Sequence, residues 1–370
     1  MPGVTSAVAA VGYTPHMLMV IFGAGASFDS SRDFPPSSSA LDLSNEWRPP
    51  LANDLFRDPT HVRGHIVQKY PKLAPILAYL REPRNGRSIE EELESLQSEA
   101  TGYPERLRQL AAVKYYLRDL LFEASNKWRE RTSDVTNYST LIDQLLHLNR
   151  GDKQICLVTF NYDLLLDRAL FAFDYKGRKP EDAFSAHPVL KLFKPHGSVD
   201  WVRFVYPAEA PDPRLLPQHL IESAETIKPT DDFTRVGSIQ EADNLSLGRT
   251  TFPAIAIPVR TKTEETFEWP PSHRKHLLDL LPHVKKILII GWQGKEAHFL
   301  NLLRENLPKG GLTQITHLQV VGTDHAKAKS ISEQFIADIR RDVKKEDLGP
   351  TQGGFSQFVQ QELVDFLFKD

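Results

Sequence analysis

The chain holds a single cysteine, Cys156, in 370 residues. One thiol closes no intrachain disulfide and builds no cysteine-based zinc site, and it suits a reducing cytoplasm, the expected location. An excess of one charge is also missing. With 45 basic and 48 acidic side chains the net charge is −3, too small a bulk field to hold the protein on nucleic acid or an anionic membrane. No basic run with interleaved aromatics occurs; the visible basic cluster, Arg340, Arg341, Lys344 and Lys345, reads as a solvated helix face, so direct nucleic-acid binding is not expected. Uncharged apolar runs of about 18 residues or more are absent, which leaves no evident membrane span. The apolar stretch Ala7 to Ala26 has no basic leader and carries Pro15 and His16 in its middle, so it reads as a buried strand and not as a signal peptide. There is no internal repeat.

What is present is ordinary globular composition, 41% hydrophobic and 25% charged, enough for one large domain or two moderate ones. Met17 to Phe22 is a short apolar run ending in Gly23-Ala24-Gly25-Ala26-Ser27, the punctuation between a buried parallel strand and a helix or loop. Ser30 to Pro50 is rich in serine and proline, a surface loop with a short helix around Leu41 to Leu43. From Leu51 to Asn149 apolar residues recur at three and four spacing over His65 to Leu80, Ile89 to Glu99, Pro104 to Arg129 and Ser139 to Leu148, predicting an inserted helical module.

The strand signal returns at Ile155 to Phe160, followed by a helix over Leu164 to Phe173 and a strand at Val189 to Phe193. Tyr206 to Arg249 is polar and weakly periodic, an irregular insertion. After it the pattern predicts strand Phe252 to Val259, helix Pro271 to Leu281, strand Lys286 to Ile290, helix Lys295 to Asn306, strand Thr316 to Val321 and helix Ala326 to Asp342. An amphipathic helix over Phe355 to Phe368 closes the chain. The fold class is α/β, a doubly wound parallel Rossmann-like sheet with an inserted helical module. Its divisions fall at 16–50 for the first strand and glycine loop, 51–150 for the helical insert and 151–370 for the rest, with 206–249 irregular.

Four segments follow strands at the edge where open parallel sheets bind ligands. Glycines at Gly23 and Gly25 let backbone amides approach a pyrophosphate; a tight turn with no ligand explains them equally. Asn161 and Asp163, in Thr159-Phe160-Asn161-Tyr162-Asp163, face the cleft or cap the helix that follows. His196, in Lys194-Pro195-His196-Gly197-Ser198, titrates near neutrality, but it is one of 13 histidines and gains weight only from its neighbours. Gly291-Trp292-Gln293-Gly294 offers a second place for amides to meet a nucleotide, or a plain connecting turn.

Taken together and in order, these segments resemble the sirtuin-like superfamily, in particular its bacterial NAD-hydrolysing branch in anti-phage defence. The glycine loop is similar to the family's GAG-x-S loop, Thr159 to Asp163 to its T-x-N-x-D segment, and Lys194 to Ser198 to its K-x-H-G-S segment. Ile290-Gly291-Trp292 sits where the family has a Gly-Ser or Gly-Tyr-Ser turn, with tryptophan in place of the hydroxyl residue. Arg48-Pro49-Pro50-Leu51-Ala52 and Ser88-Ile89-Glu90-Glu91 also resemble this branch.

The resemblance implies NAD as a consumed substrate, with Gly23, Ala24, Gly25 and Ser27 on the pyrophosphate and neighbouring ribose. It places Asn161 and Asp163 at the nicotinamide pocket, His196 as acid or base at the nicotinamide ribose, and Gly291 and Trp292 at the adenosine half. No zinc is implied, since the paired cysteines of the deacylase module are missing. The implied activity is an NAD glycohydrolase producing nicotinamide and ADP-ribose, linear or cyclic. A zinc-independent deacylase, an ADP-ribosyltransferase and a catalytically silent NAD or ADP-ribose sensor are the competing readings. Such defence proteins work in assemblies, so self-association or a regulatory partner from the same system is expected.

Overall fold

The computed structural model describes residues 17–36, 47–57, 64–83, 86–149, 154–171, 179–181, 187–206, 216–243, 250–259, 267–309, 315–340, 353–362, 364 and 368. Ala7 to His16, the short helix expected at Leu41 to Leu43, and Arg341, Lys344 and Lys345 fall outside them.

Five parallel strands run in the order β3-β2-β1-β7-β8: β1 (Met17–Phe22), β2 (Ile155–Thr159), β3 (Leu190–Phe193), β7 (Val284–Ile290) and β8 (His317–Val321). Strands covered on both faces must be apolar at successive positions, which is why they were visible as runs. The central strand shows the consequence. Its alternate side chains enter different cores: Leu18, Val20 and Phe22 pack with α6 (Asn137–Leu148), α7 (Leu165–Phe171) and α13 (Gly354–Gln360), while Met17, Met19 and Ile21 pack with α10 (Pro271–Leu280), α11 (Ala297–Asn306) and α12 (His325–Ile339). Helices on both faces make the sheet doubly wound, as the sequence predicts.

Between β1 and β2 the chain forms α1 (Ala24–Phe28), α2 (Gly64–Gln68), α3 (Ala74–Arg81), α4 (Ile89–Glu99), α5 (Pro104–Thr132) and α6. The single helix expected over His65 to Leu80 is broken, with a 3-10 turn at Pro71–Leu73. Proline has no N–H to donate and its ring clashes with the preceding turn. Helices α2 to α5 build a core of their own, closed on one side by residues of a second sheet.

That second sheet corrects the reading of 206–249 as irregular. Strands β4 (Gly197–Tyr206), β5 (Lys228–Arg235) and β6 (Thr251–Ile255) pair antiparallel in the order β5-β4-β6. Two short helices, α8 (Leu216–Glu222) and α9 (Ile239–Asp243), lie in the same stretch. The strand expected at Phe252 to Val259 therefore belongs to this sheet and not to the parallel one. Edge positions explain the weak signal: β5 (KPTDDFTR) buries only Phe233, and β6 carries Pro253, which an edge strand tolerates.

One buried group makes stability depend on pH. His273 on α10 lies edge-on to Trp201 and Phe193, its Nε2 2.7 Å from the Pro180 carbonyl, and its Nδ1 has no hydrogen-bond partner among the described residues. Burial pushes its pKa down to about 4. The unfolded chain, titrating near 6.5, therefore takes up this proton first as pH falls. Stability is unaffected by His273 above about pH 6.5 and is lost progressively toward about pH 4, by about 3 kcal/mol in all. Urea midpoints at about pH 7 and about pH 4.5 should fall less in His273→Gln, which keeps a donor for Pro180, than in the parent; equal slopes would exclude this histidine as the cause.

Candidate active site

The strand order puts β1 beside β7, and the helices that follow them cover opposite faces. A crevice opens at such a switch point beyond the carboxyl ends of the strands. Gly23 and Gly291 stand there. The Gly23 N–H donates to the Ile290 carbonyl at 3.0 Å and the Gly25 N–H to the Gly291 carbonyl at 3.0 Å. A Cβ on Gly23 would sit 2.6 Å from the Trp292 Cα, and one on Gly25 2.9 Å from the Gly291 Cα. The glycines thus bring two loops into backbone contact. Two of the amides assigned to a pyrophosphate are already used within the protein. Ala24 opens α1, where helix geometry provides no intrahelical acceptor for its N–H.

At the end of β2, the side-chain nitrogen of Asn161 lies 2.9 Å from the Gly23 carbonyl, 2.8 Å from the Ser27 hydroxyl and 3.1 Å from the Tyr138 hydroxyl. A carbonyl only accepts, so the nitrogen end of this amide is fixed inward and Oδ1 turns the other way. Asp163 accepts from the Leu165 N–H at 3.0 Å, the capping role that sequence left open for it. Burial raises its pKa, opposed by a hydrogen bond from Ser27 and by the charge of Lys194. Lys194 itself is fully buried, donating to the Asp163 carbonyl at 2.8 Å and to Asp167 at 2.7 Å.

His196 follows β3. Its Nδ1 is 3.2 Å from the Phe160 carbonyl, the residue before Asn161, so in the neutral ring Nδ1 carries the proton and Nε2 the lone pair. The ring is held between aromatic faces, Phe160 at 4.9 Å, Tyr162 at 5.9 Å and Phe267 at 5.8 Å. Gly197 turns the chain into β4 with φ +78, and a Cβ there would lie 1.9 Å from the Ala254 carbonyl oxygen. Its glycine serves the turn.

All nine residues singled out by sequence, Gly23, Ala24, Gly25, Ser27, Asn161, Asp163, His196, Gly291 and Trp292, line one cavity of about 1390 Å³. Trp292 also has a packing role: it stacks on Phe160 at 5.2 Å, meets Phe299 and Phe335 edge-on, and donates to Glu296. Arg48, from the second tier of motif matches, is a clamp. Its guanidinium donates to the Phe28, Phe34 and Pro35 carbonyls and lies 4.5 Å over the Trp128 ring, fixing the loop after α1. Ser88 and Glu91 form a capping box at the start of α4.

Other contributors were not singled out. Glu90 and Glu296 border the cavity, and after burial their charges help raise the pKa of the Tyr162 phenol. Tyr138 belongs to none of the motifs and precedes the helix expected over Ser139 to Leu148; it lies in the first turn of α6, which begins at Asn137. The last described helix, α13, comes back to the glycine loop: Ser356 donates to Asp29 through its N–H at 3.1 Å and its hydroxyl at 2.6 Å, and Phe355 lines the cavity. Among the described residues there is no cluster of metal-ligating side chains and no helix long and apolar enough to cross a membrane.

No family model and no curated protein sequence matches the chain. Solved structures do. The chain is similar to a Sir2 homologue in complex with NAD, at 12% identity and a TM-score of 0.34, covering 88% of this chain and 90% of that one. A substituted Sir2 homologue in complex with 2′-O-acetyl ADP-ribose overlaps at 11% identity and a TM-score of 0.36, over 96% and 94% of the two chains. A third structure, described under the mechanism and regulation of Sir2 enzymes, overlaps at 12% identity and a TM-score of 0.31, over 88% and 92%. All three scores lie under 0.5, so the activities of those proteins are not carried over from the overlap.

Proposed function

We propose that the protein is a sirtuin-like NAD glycohydrolase, which cleaves NAD to nicotinamide and ADP-ribose. The observation that carries this reading is the pairing of Asn161 and His196 in one cavity at the switch point. Asn161 has its nitrogen tied inward and Oδ1 without a hydrogen bond to any described residue, and His196 has Nδ1 tied to Phe160. The amide oxygen is then the acceptor end of Asn161, and Nε2 holds the lone pair of the neutral His196 ring.

The chemistry needs those two acceptors. Nicotinamide leaves with the electron pair of its bond to ribose C1′, and positive charge grows on the sugar. Asn161 Oδ1 accepts a hydrogen bond from the attacking water and orients it toward C1′, and His196 Nε2 takes up or relays the proton released as the C–O bond forms. The balance is NAD plus water giving nicotinamide, ADP-ribose and a proton. Glu90 and Glu296, along the same wall, favour both the cationic ring of the substrate and the cationic sugar.

The cavity suits a dinucleotide: about 1390 Å³ exceeds the ~300–1,000 Å³ of ordinary small-molecule sites. Ala24 offers its amide to the pyrophosphate, Gly23, Gly25 and Ser27 shape the floor beneath it, and Lys327 and Arg304 border the side where Gly291 and Trp292 meet the adenosine half. The wider reading is an NAD-depleting effector of anti-phage defence, held in check by self-association or by a regulatory partner.

Purified protein incubated with NAD should release nicotinamide and ADP-ribose in equal amounts, followed by chromatography, with NAD raising the thermal midpoint. Binding without release would identify a sensor. The absence of both binding and release would sink the assignment.

A further inference from the structure

The amide of Asn161 has more acceptors than hydrogens. Its nitrogen carries two N–H groups, yet the Gly23 carbonyl, the Ser27 hydroxyl and the Tyr138 hydroxyl all lie within 3.1 Å of it. Directions follow from what each group can do. The Gly23 carbonyl only accepts, so it takes one N–H. The Ser27 hydroxyl lies 2.9 Å from the Tyr138 hydroxyl, a contact in which either oxygen can donate. The second N–H of Asn161 therefore falls between the Ser27 and Tyr138 oxygens.

We infer that Tyr138 is a positioning residue for NAD cleavage: its hydroxyl, reaching in from the first turn of α6, accepts from the Asn161 amide and helps hold it with Oδ1 toward the substrate. This rests on the reading of Asn161 given above. Tyr138 is 1% exposed and does not line the cavity, so it acts through its neighbours. Its ring packs on Phe22 at 5.3 Å and Phe355 at 5.4 Å, contacts that phenylalanine would keep. The placement also joins the inserted helices to the site. The preceding residue, Asn137, donates to the Asp29 carbonyl at 2.7 Å, the Ser356 hydroxyl at 2.8 Å and, through its backbone, the Ser30 carbonyl at 2.7 Å.

The test is Tyr138→Phe beside Tyr70→Phe, which removes another buried hydroxyl, bonded to Asp119 at 2.6 Å in the helical core and away from the cavity. Tyr138→Phe should lower kcat for nicotinamide release about 10-fold with KM for NAD within about 2-fold, and Tyr70→Phe should change neither. A second readout does not need turnover. With asparagine labelled by nitrogen-15, the Asn161 side-chain N–H signals, identified by their loss in Asn161→Ala, should exchange with solvent about 10-fold faster in Tyr138→Phe and at the parent rate in Tyr70→Phe. Unchanged exchange in Tyr138→Phe, a rise in KM with kcat intact, or an equal fall in kcat in Tyr70→Phe would overturn the inference. Should the parent release no nicotinamide, the functional reading fails, and the exchange rates alone decide whether Tyr138 positions Asn161.

Discussion

Replacing His196 by asparagine lowers kcat for nicotinamide release by about 10²–10⁴-fold, the usual contribution of a positioned acid or base, and leaves the protein folded. Asparagine is the informative choice because its side-chain N–H can still meet the Phe160 carbonyl that Nδ1 engages at 3.2 Å, while nothing replaces Nε2. Alanine would lose both and leave a buried carbonyl without its donor, a cost of about 1–3 kcal/mol that obscures the chemical one. The measurement is steady-state release of nicotinamide together with a thermal melt in the presence and absence of NAD. A variant that melts like the parent, still responds to NAD and no longer turns over identifies Nε2 as the group in the reaction. Activity within about 3-fold of the parent would remove His196 from the chemistry. Asn161→Ala is the harsher companion, since it withdraws the donor from three acceptors at once.

Gly291→Ala destabilises the protein by at least about 3 kcal/mol, or prevents its recovery as a folded species. Two effects add. The residue has φ +62, where a side chain is strained, and the added Cβ would lie 2.2 Å from the Ala26 nitrogen and 2.5 Å from the Gly25 carbonyl carbon. Both obstacles are backbone, so no rotamer relieves them. The loops after β1 and β7 would have to part, breaking the 3.0 Å bond from Gly25 to Gly291. Gly294→Ala separates the two effects: it has φ +68 and nothing within 4 Å of the added carbon, so it should cost only the ~1–2 kcal/mol of a left-handed backbone. Urea denaturation of both variants measures the difference; equal losses would show that the loops yield without cost.

The comparison between these glycines shows what the sequence could and could not convey. Parallel strands such as Met17–Phe22 and Val284–Ile290 were legible because burial on both faces leaves a run of apolar letters. The motifs stood out as a set, and the nine residues singled out from them line one cavity. Their division of labour was not. Gly23, Gly25 and Gly291 support a contact between loops far apart in sequence, and Arg48 clamps carbonyls, tasks that leave no local pattern. The antiparallel sheet was missed because Asp200 and Arg203, polar letters within β4, are neutralised by Arg235 and by Glu268 and Asp231, partners that sequence spacing does not reveal. Tyr138 stood outside the motifs and just before the helix expected from Ser139, and nothing in local sequence shows that its hydroxyl meets an asparagine 23 positions away.

The bond between Asp29 and Ser356 spans 327 positions. During synthesis Asp29, at the end of α1, emerges well before Ser356, and its carboxylate waits without these donors while the 327 positions that separate them are made. Contacts of such separation form late, after the loop-closure entropy has been met. The wall of the cavity that Phe355 supplies is then among the last parts to be placed. A partly made chain therefore has the strands and glycines of the site before Phe355 closes its wall.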